Sequence, residues 1–234
     1  MGKSDILKNA FVKTLPVMAG YLVLGTGFGI LLNSYGFGVG WAIAMSVFVY
    51  AGSMQFVGIS LIASGASLFS VAVTTLMVNA RHLFYGLSMI GPYKGAGRRK
   101  PYLMHALTDE TYSLVCAGDV PSGADPHQYY FYISLFDQLY WVAGSVAGSL
   151  LGTVIPFDTA GIDFSMTALF VTVCIEQWLT SREHRPALIG AVVSVVCLLL
   201  FGAERFLIPS MLVIIVLLLA VRKPLERTAM LHES

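Results

Sequence analysis

Polar side chains capable of chemistry stand inside the apolar sequence of residues 50–89, where lipid tolerates none of them unshielded. The strongest feature is Arg81, because an arginine near mid-membrane costs at least about 3 kcal/mol and must face protein, water or a ligand. Its rigid fork of donors suits a carboxylate. Two interpretations stay open: capture of a substrate carboxylate, or an internal salt bridge to a buried acid such as Asp109 or Asp137.

Neighbours of Arg81 extend this polar set. His82 is interpreted either as a proton-responsive switch, because histidine titrates near neutral pH, or as a hydrogen-bonded packing residue. Asn79 lies three residues earlier on the same helical face, and Tyr85 would complete a polar shell. No second histidine or cysteine stands at a metal-ligand spacing, so the sequence predicts no metal site.

The run Gly52-Ser53-Met54-Gln55 interrupts the apolar segment that precedes Arg81. Local unwinding there would free backbone amides and point them, with Ser53 and Gln55, at a small zwitterion. The alternative is a tight helix crossing that small side chains permit. We favour the binding interpretation because Gln55 also needs a polar partner inside a membrane.

A row of polar residues follows in the shorter apolar run of residues 101–118. If this run is one helix, His105, Asp109 and Tyr112 share a face, which would relay a proton or hold a substrate ammonium at Asp109. Glu110 points away from that face and is a further proton-coupling candidate. The alternative is a helix that begins at Thr108, which would break the row.

Asp137 lies in a long apolar segment that has glycines at every fourth position from Gly144. It shares a face with Gly144 and points towards whatever packs on these glycines. An interior carboxylate there is either a proton-coupling site or the counter-ion of Arg81. A similar pair, Gly25 and Gly29, predicts that the first apolar segment is a packing helix.

The composition predicts one membrane domain. Of 234 residues, 56% are hydrophobic and only 12% are charged, which is far more apolar than a soluble domain, and the short polar turns leave no room for one. A net charge of +1 without a basic arm argues against nucleic acid as a partner. Residues 1–13 are expected to be a retained, basic cytoplasmic segment and residues 222–234 a cytoplasmic tail.

The elements that position these side chains are apolar helices. The pattern predicts an all-α polytopic membrane protein with seven or eight hydrophobic segments, some of them broken or re-entrant. The second and third segments form a hairpin, and each is interrupted near its middle. The segments cover residues 14–32, 40–63, 66–90, 101–118, 129–155, 164–179, 186–201 and 208–221.

Basic residues constrain the topology. Both termini and the basic cluster of residues 94–100 should be cytoplasmic, whereas the loop of residues 119–127 has acids but no lysine or arginine and is predicted to be external. Eight single crossings cannot satisfy this pattern. One of the first three segments and the 129–155 segment would each fail to make a single crossing, which favours an inverted repeat, although no residue-level repeat is found.

Three runs of residues jointly resemble the AzlC family of branched-chain amino-acid transporters. They are AGSMQF at residues 51–56, VNARHLFYGLS at residues 78–88 and ALTDETY at residues 106–112, and their order and separation also fit. The resemblance covers the first half of the chain. It implies a secondary exporter of valine, leucine, isoleucine and similar amino acids in a bacterial or archaeal inner membrane, working with a small AzlD-type membrane subunit.

With this resemblance, the expected function is outward transport of branched-chain amino acids in exchange for protons. Arg81 or nearby backbone amides would hold the substrate carboxylate, and Asp109 or Asp137 its ammonium or the coupling proton. An apolar wall would accept the side chain. The alternatives are a channel or a non-transporting membrane subunit that stabilises a partner. Because catalytic and cofactor motifs are missing, neither an enzyme nor a cofactor is predicted.

Overall fold

A computed structural model describes residues 2–116, 118–154, 171, 174–175, 178–179, 184–202 and 206–220. Within these residues the chain forms helices and turns and contains no strand. It divides into two units, residues 1–167 and 168–234. Most of the predicted 164–179 segment and all of the predicted 222–234 tail lie outside the described residues.

The first unit holds eight of the described helices. They are α1 (Lys3–Ser34), α2 (Val39–Ala44, continued by a π-helical turn, Met45–Val49), α3 (Gly52–Ala63), α4 (Leu68–Val78), α5 (Ala80–Ser88), α6 (Lys100–His105), α7 (Asp109–Cys116) and α8 (Pro126–Val154). The second unit holds α9 (Arg185–Phe201) and α10 (Leu207–Ala220). Among the described residues, α1 is the one helix that meets the length and hydropathy expected of a membrane span. The count of seven or eight segments and the inverted repeat therefore stay predictions.

Helices α1 and α8 pack directly against each other through glycines. A Cβ atom at Gly25 would lie 3.0 Å from the carbonyl oxygen of Trp141, and one at Gly144 would lie 2.9 Å from a backbone oxygen of α1. Cβ atoms at Gly29 and Gly148 would overlap the facing backbone. The glycines therefore let the two backbones touch, which confirms the packing role predicted for the first segment.

The two long helices run parallel. Near their starts, the rings of Phe11 and Phe136 lie 5.5 Å apart, centroid to centroid. Near their ends, the side chain of Asn33 lies against Gly152. Since contacts advance along both helices in the same direction, α1 and α8 begin at the same end of this unit.

Two salt bridges connect the loop of residues 119–127 to α1 and to the basic cluster at that end. Lys13 Nζ lies 3.3 Å from Asp119 Oδ2, and Arg99 Nη1 lies 2.9 Å from Asp125 Oδ2. The loop of residues 119–127 therefore lies on the same side as the basic N-terminal segment and the basic cluster. The prediction that this loop is external, opposite those cationic segments, is wrong.

The reason for that error is the length of α6 and α7. With six and eight residues, they extend about 9 and 12 Å at 1.5 Å per residue, far less than the roughly 30 Å of a bilayer core. The run of residues 101–118 therefore begins and ends at the same end of this unit. The 129–155 segment was expected to be doubled or re-entrant, but α8 is one uninterrupted helix of 29 residues.

The predicted hairpin has both of its interruptions. The π-helical turn ends at Tyr50, whose φ of +41° is left-handed, and Asn79 separates α4 from α5. The predicted unwinding at residues 52–55 lies slightly earlier, because these residues form the first turn of α3. Since α1 ends opposite its start and the basic cluster lies back at that start, the two segments between them return the chain from one end of this unit to the other.

Candidate functional site

Arg81 joins the starts of three short helices. Its Nη1 lies 2.6 Å from Asp109 Oδ2, and its Nη2 donates a hydrogen bond to Ser53 Oγ at 2.8 Å. Ser53 lies in the first turn of α3, Arg81 in the first turn of α5, and Asp109 is the first residue of α7. Of the two acids proposed from sequence as internal partners of Arg81, Asp109 is the one that pairs with it.

Several polar atoms around this pair have no hydrogen-bond partner among the described residues. They are Arg81 Nε, Asp109 Oδ1, Asn79 Oδ1 and His82 Nδ1. Buried polar atoms in proteins are ordinarily paired, so such a cluster marks a place where water or a ligand completes the bonding. The side chains of Arg81 and Asp109 are 28% and 23% exposed, which leaves the pair reachable.

Tyr85 forms an aromatic wall next to the pair. Its ring stacks on Tyr112 with centroids 4.5 Å apart, and His82 meets it edge-on at 5.9 Å. Ser88 Oγ donates a hydrogen bond to the Tyr112 hydroxyl at 3.2 Å. These contacts fix the face of α5 that also carries His82, while α5 exposes its apolar side chains on the other face.

A cavity of about 160 Å³ lies between α5, α6 and the turn that joins them. His82 and Leu107 line it, and these residues stand next to Arg81 and close to Asp109 in sequence. Most of its lining residues are apolar, but Lys100 and Tyr93 also line it. The apolar part of the lining includes Met89, Ile90 and Met104.

A second polar cluster connects two carboxyl groups through hydroxyl groups. Tyr21 Oη lies 2.7 Å from Glu110 Oε2 and 2.7 Å from Thr108 Oγ1. Thr108 Oγ1 lies 3.0 Å from Thr111 Oγ1, which lies 2.7 Å from Asp137 Oδ2. We call these five residues the hydroxyl chain. It brings together Glu110 and Asp137, two of the predicted proton-coupling residues.

The predicted polar row of residues 101–118 is interrupted. Helix α6 ends at His105, and α7 starts after Thr108, whose Oγ1 accepts the backbone N–H of Thr111 at 3.2 Å. His105 and Asp109 therefore do not share a helical face, and the alternative of a helix start at Thr108 is the one that occurs. The capping side chain decides this, because it stabilises a new helix start inside an otherwise apolar run.

His105 instead contacts the break before α3. Its Nε2 lies 3.0 Å from the carbonyl oxygen of Val47, and Gln138 Nε2 donates to the same oxygen at 3.2 Å. A carbonyl oxygen only accepts hydrogen bonds, so the His105 contact requires a proton on Nε2. These side chains satisfy a carbonyl near the end of the π-helical turn.

Gln55 is fully buried, and its amide is bonded within the protein. Trp141 Nε1 donates to Gln55 Oε1 at 2.9 Å, and Gln55 Nε2 donates to Ser46 Oγ at 3.4 Å. The polar partner that Gln55 was expected to need is therefore on α8. Direct contact between Gln55 and a substrate stays a prediction.

Several residues of these networks were missed from sequence. Gln138 had a visible signal, because it adjoins Asp137 inside an apolar segment. The sequence marks Thr108 only as a helix start, and no pattern marks Thr111. Tyr21 and Trp141 gave no signal, because aromatic residues in membrane segments usually mark the lipid interface.

Comparison with known proteins places the chain. Residues 16–155 match the family described as AzlC protein. The branched-chain amino acid transport protein AzlC of Bacillus subtilis is 43% identical over 94% of this chain and 87% of its own length. An uncharacterized membrane protein of Helicobacter pylori is 43% identical over 94% of this chain and 96% of its own.

A more distant relative is the inner membrane protein YgaZ of Escherichia coli, which is 26% identical over 78% of each chain. No solved structure matches the chain. The relatives named as membrane proteins agree with the apolar composition and with the exposed apolar helices. The chain is a membrane protein of the AzlC branched-chain amino-acid transport family.

Proposed function

We propose that this protein exports valine, leucine, isoleucine and similar amino acids across the inner membrane in exchange for protons, together with a small AzlD-type membrane subunit. The observation that carries the proposal is the Arg81–Asp109 pair at the joint start of three short helices. Each partner keeps one polar atom without a partner among the described residues. A cation and an anion side by side match the two charges of an amino acid.

In this proposal the ion pair is the empty state of the binding site. An entering amino acid places its carboxylate on the guanidinium of Arg81 and its ammonium on the carboxylate of Asp109, so one internal pair is replaced by two pairs to the ligand. The amide groups in the first turn of α3, beside Ser53, add positive potential for the carboxylate. The salt bridge and the substrate-binding interpretation of Arg81 then describe two states of one site.

The aliphatic side chain of the substrate occupies the cavity beside His82. A cavity of about 150 Å³ holds benzene, so a volume of about 160 Å³ is sufficient for a branched chain of three or four carbons. Met89, Ile90 and Leu107 offer only dispersion and apolar contact. Such a wall discriminates poorly, because one methylene group is worth about 1–3 kcal/mol.

The location and the partner rest on the family relationship. A relative named as an inner membrane protein supports the inner membrane, and the AzlD-type subunit comes from the resemblance of the three runs. Exposed apolar side chains on α4 and α5, among them Leu68, Phe69 and Phe84, require lipid or a membrane partner rather than water.

Efflux of labelled valine from preloaded cells tests the proposal. The full chain is expressed with and without an AzlD-type subunit, and the protein level is measured in each sample. We expect faster efflux than in cells lacking the chain, with the largest rate when both proteins are present. Unchanged efflux in both samples, with the protein well expressed, would remove the assignment.

Counterflow in proteoliposomes separates a carrier from the alternatives. Vesicles loaded with unlabelled valine should accumulate external labelled valine, and this accumulation should saturate. A channel would equilibrate the label without transient accumulation, and a subunit that only stabilises a partner would give no accumulation by itself. Excess leucine and isoleucine should compete, whereas lysine should not, because the apolar cavity offers its ammonium no counter-ion.

A further inference from the structure

The hydroxyl chain has one hydrogen too few for its hydrogen bonds when both of its carboxyl groups are ionised. Its five residues are linked by four short contacts between oxygen atoms, from Glu110 through Tyr21, Thr108 and Thr111 to Asp137. Each contact needs one hydrogen, and the three hydroxyl groups supply three. If both carboxyl groups were ionised, two oxygens would face each other with no hydrogen between them. One proton on either carboxyl group completes the chain.

We propose that Glu110 and Asp137 share a single proton, which the hydroxyl chain moves between them. With the proton on Glu110, each hydroxyl donates towards Asp137, and with the proton on Asp137 each donates towards Glu110. During transfer, every O–H bond in the chain breaks as the next one forms. One proton leaves the first carboxyl group and one arrives at the second, so atoms and charge balance without a co-reactant.

Burial and charge support a shared proton. Asp137 is fully buried, its Oδ1 has no hydrogen-bond partner among the described residues, and within that part of the chain no cation forms an ion pair with Asp137 or Glu110. Two uncompensated carboxylates in such a place are costly, and one proton removes one of the two charges. The other charged or titratable groups that face the two carboxyl groups are Tyr50, Tyr85, Tyr102, Tyr140, Arg81 and Asp109.

The chain starts at the substrate site. Glu110 is half-buried whereas Asp137 is fully buried, so the proton enters at Glu110 and is stored at Asp137. Thr108, Asp109 and Glu110 are consecutive at the start of α7. A movement that opens the Arg81–Asp109 pair therefore also displaces Thr108 and Glu110, the two hydrogen-bond partners of Tyr21. This coupling role rests on the proposed function, but the shared proton does not.

Infrared spectroscopy of the purified full chain tests the shared proton directly. At neutral pH the wild type should show the C=O stretching band of one protonated carboxyl group. Glu110→Gln and Asp137→Asn should each abolish the whole band, because the amide N–H supplies the missing hydrogen and lets the remaining carboxyl group ionise. The proposal is overturned if the wild type lacks the band, or if either variant keeps half or all of it.

Transport with interrupted chains tests the coupling. Thr111→Val and Tyr21→Phe each remove one hydroxyl of the chain, and we expect valine counterflow to stay within twofold while valine-driven proton movement falls at least tenfold. Thr14→Val and Tyr140→Phe are the matched controls, because these residues form a buried hydroxyl contact of 3.1 Å outside the chain. The controls should leave both rates unchanged.

The outcomes separate the two proposals. Equal losses of counterflow and proton movement in the chain variants, or no loss in either, would overturn the coupling role of the hydroxyl chain. A wild type without counterflow would overturn the proposed function, and the infrared band would still decide whether the two carboxyl groups share a proton.

Discussion

The α1–α8 pair and the short helices α3, α5 and α7 deal with the polar backbone of a membrane protein in opposite ways. In the long pair, the peptide groups are hydrogen-bonded within continuous helices, and the small residues allow the two helices to pack closely. The short helices leave a peptide group open at the break before α3. Side chains then complete the bonding, as His105 and Gln138 do for the carbonyl oxygen of Val47.

This difference distinguishes two parts of the molecule. The α1–α8 pair is the frame, and the starts of α3, α5 and α7 form the candidate site. Side chains of the long pair hold the breaks before α3 and before α7: Trp141 bonds Gln55, Tyr21 bonds Glu110, and Asp137 bonds Thr111. The reverse dependence is small, because α1 and α8 meet through their own glycines. Damage to the frame should therefore abolish both folding and transport, whereas loss of the charged groups at the breaks should abolish transport alone.

The largest effect is expected from a bulky residue at the glycine contact. Gly29→Leu places a side chain where even a Cβ atom overlaps the backbone of α8, and backbone cannot rotate away as a side chain does. The cost should exceed the roughly 1–3 kcal/mol of ordinary overpacking, so little folded protein should be recovered. Yield and thermal unfolding in detergent measure it.

Gly27→Leu is the matched control for that substitution. A Cβ atom at Gly27 meets nothing within 4 Å, so this variant should be recovered at wild-type yield with a similar unfolding midpoint. Equal yields of the two variants would show that α1 and α8 do not depend on their glycine contact, and the distinction between frame and site would fail.

The next effect is loss of transport without loss of the protein. Arg81→Gln removes the cation of the proposed site, and we expect valine transport to fall at least tenfold, which corresponds to about 1.4 kcal/mol. The unpaired Asp109 carboxylate that remains is itself destabilising, so Arg81→Gln with Asp109→Asn should recover folded protein but not transport. Arg99→Gln, which breaks an exposed ion pair, should change transport less than twofold.

Two results would contradict this expectation. Wild-type transport in Arg81→Gln would remove the guanidinium from the binding site. Failure of the double variant to accumulate, while Arg99→Gln accumulates normally, would make the Arg81–Asp109 pair part of the frame. Efflux rates normalised to the amount of folded protein distinguish these cases.

The frame was easier to predict from sequence than the site. The spacing of Gly25, Gly29 and Gly144 carries its own physical meaning, because glycines four apart leave a groove on one helical face. The breaks were also visible, since Asn79 and Arg81 stand in otherwise apolar sequence. What the glycine pattern could not give was direction, so the parallel arrangement of α1 and α8 had to come from the structure.

The partners within the site depend on long-range contacts that no local pattern specifies. Arg81 had two acids of equal merit, and only the fold selects Asp109. The row from His105 to Asp109 failed because a single capping hydroxyl at Thr108 outweighs helical periodicity in a short run. The loop of residues 119–127 was misplaced for the same reason, since the preceding run was counted as a crossing.

A smaller effect, on selectivity, should come from the cavity. Met104→Phe narrows the cavity from a position that is 55% exposed, so the protein can accept the larger ring. We expect the KM for leucine to rise several-fold more than the KM for valine, about 1 kcal/mol of added discrimination. Leu83→Phe lies on the exposed face of α5 outside the cavity lining, and it should leave the ratio of the KM for leucine to the KM for valine unchanged. An equal ratio in both variants would place the substrate side chain elsewhere.

The smallest effect is expected from the exposed ion pair between Arg99 and Asp125. Slight burial acts to raise the pKa of Asp125, but hydrogen bonds from Arg99 and from the amide of His127 outweigh it and hold that pKa below its ordinary value of 3.8. A lowered pKa means that folding favours the ionised carboxylate, so the pair stabilises the protein at neutral pH and this contribution is lost as the pH falls below about 3.8. Because both side chains are more than a third exposed, the contribution should be at most about 1 kcal/mol.

The unfolding midpoints of the wild type and Arg99→Gln measure this contribution at neutral pH, in acid and in high salt. A difference of a few degrees should appear only at neutral pH and low salt, because acid neutralises Asp125 and salt screens an exposed pair. A difference that persists in acid would mean that Arg99 acts through packing rather than charge. A large difference at neutral pH would mean that the loops beside α1 and α8 belong to the frame, since a merely exposed pair cannot contribute that much.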